Sequence, residues 1–220
     1  IHDNHNQGVW IGGSINNAIS NNEIYRNSTG VGLGAGGCEE ECVGNVSGNE
    51  ITGNNIHDND SDTSGIHVGG GREEEVTFSE LTFSNNLIEN NGDYGIYVYR
   101  VEDGTLTVSE NEITGNSYGL YIDYIYNGTV TVEGNTLSDN NSEGIYVDEI
   151  SEGRQEEEPG ESVLSITNNT ISGNGEGGDE RTGIYLEEVE EGTAVAINLN
   201  AITGNGTGLY VDAVVNIVYI

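Results

Sequence analysis

The sequence predicts an all-β solenoid of about eight coils, each made of three short strands stacked in parallel on the strands of the next coil. Three observations carry this. A motif of Gly, aliphatic, any residue, aliphatic recurs at Gly8, Gly30, Gly65, Gly95, Gly119, Gly144, Gly183 and Gly208. Its spacings of 22, 35, 30, 24, 25, 39 and 25 residues describe a period near 24 with insertions. A second motif, V-x-x-N-x-I-x-x-N, recurs between the glycines, and no stretch of useful length has helical periodicity.

The first strand of each coil is the Gly motif. In Gly144-Ile145-Tyr146-Val147 the alternation turns Ile145 and Val147 inward and Tyr146 outward. The second strand precedes the first Asn of the other motif. In Thr129-Val130-Thr131-Val132 the two valines share a face. Three short strands separated by bends fill the roughly 24 residues of one coil. Each run is read as three to five residues long and ends in Asn, Gly, Ser or Asp, residues that tolerate bends and positive φ.

The V-x-x-N-x-I-x-x-N copies are Val108-Asn111-Ile113-Asn116, Val132-Asn135-Leu137-Asn140, Ile166-Asn169-Ile171-Asn174 and Ile197-Asn200-Ile202-Asn205. Divergent copies are Ile19-Asn22-Ile24-Asn27, Val46-Asn49-Ile51-Asn54 and Phe83-Asn86-Ile88-Asn91. Stacked in register, these Asn form ladders of amide hydrogen bonds at the bends, with a core column of Ile, Val and Leu inside.

Low hydrophobicity (34%) with high charge is a composition of disordered chains, but 34 Gly and 29 Asn in a regular pattern say otherwise. The 38 acidic residues face five Arg and no Lys, for a formal net charge of -33. Binding nucleic acid through phosphate contacts, which needs clustered basic residues, is excluded on that balance, and docking on an anionic membrane is disfavoured. No apolar run approaches the roughly 20 residues of a membrane-spanning helix, so direct membrane insertion is not expected. The charge balance points to adaptation to high salt. At low ionic strength such a chain repels itself.

Both ends read as repeat: Ile1-His2-Asp3-Asn4 opens inside one, and Val214 to Ile220 starts another strand. Residues 1–220 are therefore expected to be a single solenoid domain from a longer protein. The insertions fall mainly between the Gly-motif strand and the next, at Gly34 to Gly44, Gly69 to Glu75 and Glu149 to Glu161. A different bend carries Asp60 to Ser64 and Gly175 to Thr182. Nearly without apolar anchors, they are expected to be solvated loops.

The motif copies resemble the right-handed parallel β-helix repeats of the pectin-lyase-like superfamily, over about Ile1 to Val211. With its acidity, the chain is similar to salt-adapted archaeal surface or secreted β-helix proteins. The resemblance implies a right-handed coil and a group that includes polysaccharide lyases and hydrolases, phage tail spikes and surface adhesins. One scaffold carries many activities there, so function rests on the site.

Two outward columns follow from the register. Two positions after the Gly come Trp10, Gly32, His67, Tyr97, Tyr121, Tyr146, Tyr185 and Tyr210. Flat rings suit sugar stacking or a protein interface; equally, Tyr is a good strand former whose stacking stabilises a sheet. Four positions after the Gly come Tyr99, Asp123, Asp148, Glu187 and Asp212. Carboxylates on successive coils, about 5 Å apart, are either a solvated acidic face or a calcium site, since hard cations take several oxygen ligands. Calcium is the one cofactor these residues suggest. Catalysis by the column, as in a glycosidase with paired acids, is disfavoured because the acids repeat, whereas an active site breaks a repeat.

The remaining residue types say less. His2, His5, His57 and His67 form no compact metal-ligand set. Cys38 and Cys42 are expected to pair as a local disulfide in an extracellular setting. Seven N-x-S/T sequons begin at Asn27, Asn45, Asn59, Asn127, Asn140, Asn168 and Asn205. Asn27, Asn140 and Asn205 hold ladder positions, which leaves Asn127 as the best acceptor.

The function expected is a non-catalytic structural and binding segment of a secreted or cell-surface protein from a halophile, serving adhesion, glycan contact or envelope structure. Its partners would be a polysaccharide or a cell-surface protein, with adjacent domains of the same parent chain. The rival readings are a β-helix polysaccharide lyase or glycoside hydrolase, and a viral tail-spike segment.

Overall fold

The computed structural model describes residues 1–34, 44–60, 63–69, 76–151, 160–175 and 181–213. Their strands stack rung upon rung into three long sheets, of eight, seven and seven strands. The first sheet opens each coil at the Gly motif and runs from Gln7–Gly12 to Thr207–Ala213. The second runs from Ala18–Ser20 to Thr193–Asn198, and the third from Glu23–Tyr25 to Ala201–Thr203. Neighbouring strands pair in parallel throughout. The expected all-β solenoid of three strands per coil is therefore present.

The core is built by register. Ile24, Ile56, Ile88, Ile113, Leu137 and Ile171 are successive partners in the third sheet, and all are 0% exposed. Burying such a side chain contributes roughly 1.5–3 kcal/mol. The motif glycines, Gly208 excepted, are demanded by space rather than by conformation. A Cβ on Gly95 would lie 2.5 Å from Ile113 Cγ2 and 2.7 Å from the Gly119 carbonyl oxygen of the next coil.

Asparagine closes two of the bends. One ladder runs Asn22, Asn54, Asn86, Asn111, Asn135, Asn169 and Asn200; the other runs Asn4, Asn27, Asn59, Asn91, Asn116, Asn140, Asn174 and Asn205. At Asn111 the Oδ1 accepts from the backbone N–H of Asn86 (2.9 Å) and from its Nδ2 (3.0 Å). The Asn111 Nδ2 donates to Asn135 Oδ1 and to the Phe83 carbonyl. Both lone pairs and both amide protons are used, which Asp or Gly could not do.

The residue before each ladder Asn has positive φ: Asn21, Gly53, Asn85, Glu110, Gly134, Asn168 and Leu199 on the first ladder. Asp3, Arg26, Asp58, Asn90, Gly115, Asp139, Gly173 and Gly204 hold the same place on the second. The left-handed turn points the following amide inward, and Gly, Asn and Asp tolerate it best.

The structure corrects three details. Tyr94–Glu102 and Tyr118–Tyr126 are nine-residue strands rather than three to five. In each the inward alternation shifts by one position: Val101 and Ile125, three residues after Val98 and Ile122, are buried register partners, so the strand runs on in its ladder past its first inward run. The coils that begin at Gly30 and Gly65 instead insert a fourth strand, Gly44–Ser47 and Val76–Ser79, which pair as a small separate sheet. That extra strand displaces the copy read as Val46-Asn49-Ile51-Asn54. Asn49 bonds Asn17, and the true repeat is Ile51-Asn54-Ile56-Asn59. The sequon Asn59 is thereby a buried ladder member.

The insertions leave where expected, chiefly between the first and second sheets. Residues 35–43, 70–75 and 152–159, with Cys38 and Cys42 and the expectation of a disulfide, lie outside the described residues. Among the described residues no helix is long and apolar enough to cross a membrane.

Candidate functional site on the outer face of the first sheet

The register sets Trp10, Gly32, His67, Tyr97, Tyr121, Tyr146, Tyr185 and Tyr210 opposite one another, rung by rung. Ring centroids along the column are 4.9 Å apart for His67 and Tyr97, 4.5 Å for Tyr121 and Tyr146, 5.2 Å for Tyr146 and Tyr185, and 4.8 Å for Tyr185 and Tyr210. Tyr97 and Tyr121 are tilted, at 5.9 Å. These are the rung spacings of a parallel sheet. At the first coil Trp10 is 44% exposed.

A second column, which the sequence reading missed, stands beside it. Tyr94 and Tyr118 are register partners, each one residue before a motif Gly, with ring centroids 5.4 Å apart. Both meet Tyr121 edge-on, at 5.1 and 5.2 Å. On the other flank Tyr99 packs edge-on against Tyr124 at 5.6 Å, and the Arg100 guanidinium sits 5.7 Å from the Tyr99 ring centre. The signal was available in the aromatic residue that precedes Gly95 and Gly119.

The acids are tied to the rings. The Tyr97 hydroxyl donates to Asp123 Oδ2 at 2.6 Å, and the Tyr146 hydroxyl donates to Glu187 Oε2. Burial holds the Asp123 carboxyl above the ordinary carboxylate range; the Tyr97 bond pulls it down and the charge of Asp148 adds to the rise. Asp148 is raised too, by burial and then by Glu149. Burial and the Asp123 carboxylate likewise push the Tyr97 and Tyr121 phenols well above their usual range. Asp123 and Asp148 are half-buried, whereas Glu187 and Asp212 are exposed. A bulge between Leu186 and Val189 disturbs the register just there. Among the described residues, no three His, Cys, Asp or Glu side chains gather closely enough to hold a metal ion.

The histidines separate. His67 belongs to the aromatic column, and burial lowers its pKa. His2 and His57 lie on the third sheet, stacked on either side of Tyr25 at 4.7 and 5.1 Å. His5 is exposed.

Fold and face together define a parallel β-helix whose one outer sheet carries an aromatic column with an acidic column beside its later coils. The family described as right handed beta helix region matches residues 1–124 and 42–218, and the chain belongs to it. Among solved structures, the A-module of Azotobacter vinelandii mannuronan C-5 epimerase AlgE4 is similar with a TM-score of 0.71 at 19% identity, over 98% of this chain and 55% of that one. The A-module of mannuronan C-5 epimerase AlgE6 from the same organism gives a TM-score of 0.54 at 17% identity, over 100% and 56%. The chain thus spans about half the length of these structures, and at such identities the likeness is one of fold. No curated protein matches the chain.

Proposed function

We propose that this chain is a non-catalytic polysaccharide-binding segment of a secreted or cell-surface protein, with the outer face of the first sheet as its contact surface. The observation that carries the reading is the stacked column from Tyr97 to Tyr210, five rings on five successive coils. Two coils advance about 9.6 Å, close to one disaccharide unit, so a glycan chain can lie along the rod. Each stacked ring contributes on the order of 1 kcal/mol, so useful affinity needs several coils at once. Support also comes from the fold likeness to modules of mannuronan epimerases. The neighbouring acids favour neutral sugars, or an anionic glycan bridged by Ca²⁺ at Asp123, Asp148, Glu187 and Asp212.

The test is a Tyr121→Ala/Tyr146→Ala double variant, assayed against immobilised neutral polysaccharides by affinity electrophoresis. Loss of retardation with an unchanged circular dichroism spectrum supports the reading. Equal retardation with a melting point several degrees lower makes the tyrosines structural.

One observation favours a second reading, an enzyme acting on polysaccharide. Asp123 is half-buried, raised in pKa and hydrogen-bonded to Tyr97, as suits a proton-transfer group. Product analysis of polysaccharide incubated with wild type and Asp123→Asn separates the two. Cleavage or epimerisation that the variant lacks establishes the enzyme.

A further inference from the structure

The aromatic column is interrupted once, and the interruption is a cleft. At Gly32 no side chain projects, and the indole of Trp10 lies against the bare backbone. A Cβ at Gly32 would come within 2.7 Å of Trp10 Cε3. Beyond it opens a cleft of about 440 Å³, bounded by Trp10 at one end and by His67, Tyr94 and Tyr97 at the other. Its volume lies in the range of about 300–1,000 Å³ of small-molecule sites.

Polar groups complete the wall. Gln7 brings an amide that both donates and accepts, and Ser64 lines the cleft at 1% exposure. The Ser64 Oγ is buried and has no hydrogen-bond partner. A buried hydroxyl without a partner costs roughly 1–3 kcal/mol, and a ligand hydroxyl placed in the cleft would remove that cost. None of the described lining residues is Asp, Glu, Lys or Arg, and His67 is the one titratable side chain among them apart from the tyrosines. His67 is held neutral by burial, and the acidic column begins at Asp123, two coils beyond His67.

We infer that this cleft is a subsite for one or two neutral hexopyranose units, stacked on Trp10 and hydrogen-bonded to Ser64 Oγ and the Gln7 amide. Rings and uncharged hydroxyl partners without a fixed cation suit a polyol and leave a uronate carboxylate unpaired. The inference rests on the polysaccharide reading of the same face and locates its most selective point.

Trp10 is the chain's one tryptophan, so its emission reports this cleft alone. The experiment titrates the whole chain with cellobiose, mannobiose and maltose, with the matching hexaoses, and with oligogalacturonate as the anionic comparator. The expected result is a saturable change of Trp10 emission with at least one neutral disaccharide and none with oligogalacturonate. Ser64→Ala should weaken that binding about fivefold without lowering the melting point, because the hydroxyl it removes has no partner. The Tyr121→Ala/Tyr146→Ala variant should keep the disaccharide response and lose the added affinity of the hexaose. In the wild type, a saturable disaccharide response with no tighter binding of the hexaose supports the cleft and counts against the tyrosine ridge. Hexaose binding by calorimetry with silent Trp10 emission overturns the cleft and leaves the ridge. An equal response to oligogalacturonate, undiminished binding by Ser64→Ala, or no response to any neutral sugar also overturns it.

Discussion

The hydroxyl of Tyr97 donates a 2.6 Å hydrogen bond to Oδ2 of Asp123, a residue of the next coil. The same step links Tyr146 to Glu187, although the sequence separations are 26 and 41 residues. The bond runs from the aromatic column to the acidic one across a rung, so the two columns are one coupled surface. A hydroxyl that donates to a neighbouring carboxylate also fixes the tilt of its ring, and with it the face offered to a ligand.

The pH response of Asp123 follows from its burial. Its folded-state pKa is raised above the ordinary value of 3.8. The folded chain therefore holds a proton that the unfolded chain has released, and stability falls as pH rises through that window. Asp123→Asn should melt higher than wild type at pH 7, and the difference should shrink towards zero as pH falls towards about 4. His67 acts in the opposite sense, since burial lowers its pKa, so the pair of proteins is compared at each pH. A gap that stays constant with pH would refute the assignment.

Salt should stabilise the fold. With a net charge of -33 and no Lys, repulsion is uncompensated in dilute buffer, and at 1 M salt screening acts beyond about 3 Å. Melting points in dilute buffer and in molar KCl should differ by many degrees. A further rise with millimolar Ca²⁺ at constant ionic strength, abolished by Asp123→Asn with Asp148→Asn, would place calcium on the acidic column. Equal melting points in low and high salt would count against halophilic adaptation.

The ladder amides should be among the least replaceable side chains. Asn111→Ala takes the acceptor from the Asn86 backbone N–H and from one proton of its Nδ2, whose other proton still reaches the Ile51 carbonyl, and takes the Asn111 donor from the Phe83 carbonyl, all in a buried corner. The expected loss is on the order of 3 kcal/mol in a urea titration. Asn141→Ala, at an exposed position outside both ladders, should change stability by less than about 0.5 kcal/mol.

Leu199 carries φ of 57° and is 85% exposed, in a place where the other coils use Gly or Asn and, once, Glu110. A left-handed conformation costs a residue with a Cβ roughly 1–2 kcal/mol, and here no burial offsets it. Leu199→Gly should stabilise the chain by about 0.5–1 kcal/mol. The reverse change, Gly204→Leu at φ 67°, should destabilise it. Opposite signs in chemical denaturation would show that packing of Leu199 outweighs its backbone strain.

Much of this molecule is written along the chain. The recurrence of glycine motifs and N-x-I-x-x-N copies determined the coil, its three strands, the edge from which the insertions leave, and the full membership of the aromatic column. A parallel stack makes equivalent positions into neighbours, so a repeat read in one dimension becomes a column in three. The sequence also held the left-handed residue before each ladder Asn, as a run of Gly, Asn and Asp interrupted by Arg26, Glu110 and Leu199.

The tertiary structure alone decided what depends on register and on side-chain direction. It moved the ladder from Asn49 to Asn54, because an inserted strand fills one corner of that coil. It joined Tyr97 to Asp123, and it set Tyr94 and Tyr118 edge-on beside the ring column. It also turned the missing side chain of Gly32 into a cleft with the Ser64 hydroxyl unpartnered in its wall. Those relations cross coils separated by loops of unequal length. The inward face and the asparagine ladders set the register, and loop length drops out of it. Sequence distance therefore carries no record of which outward side chains meet.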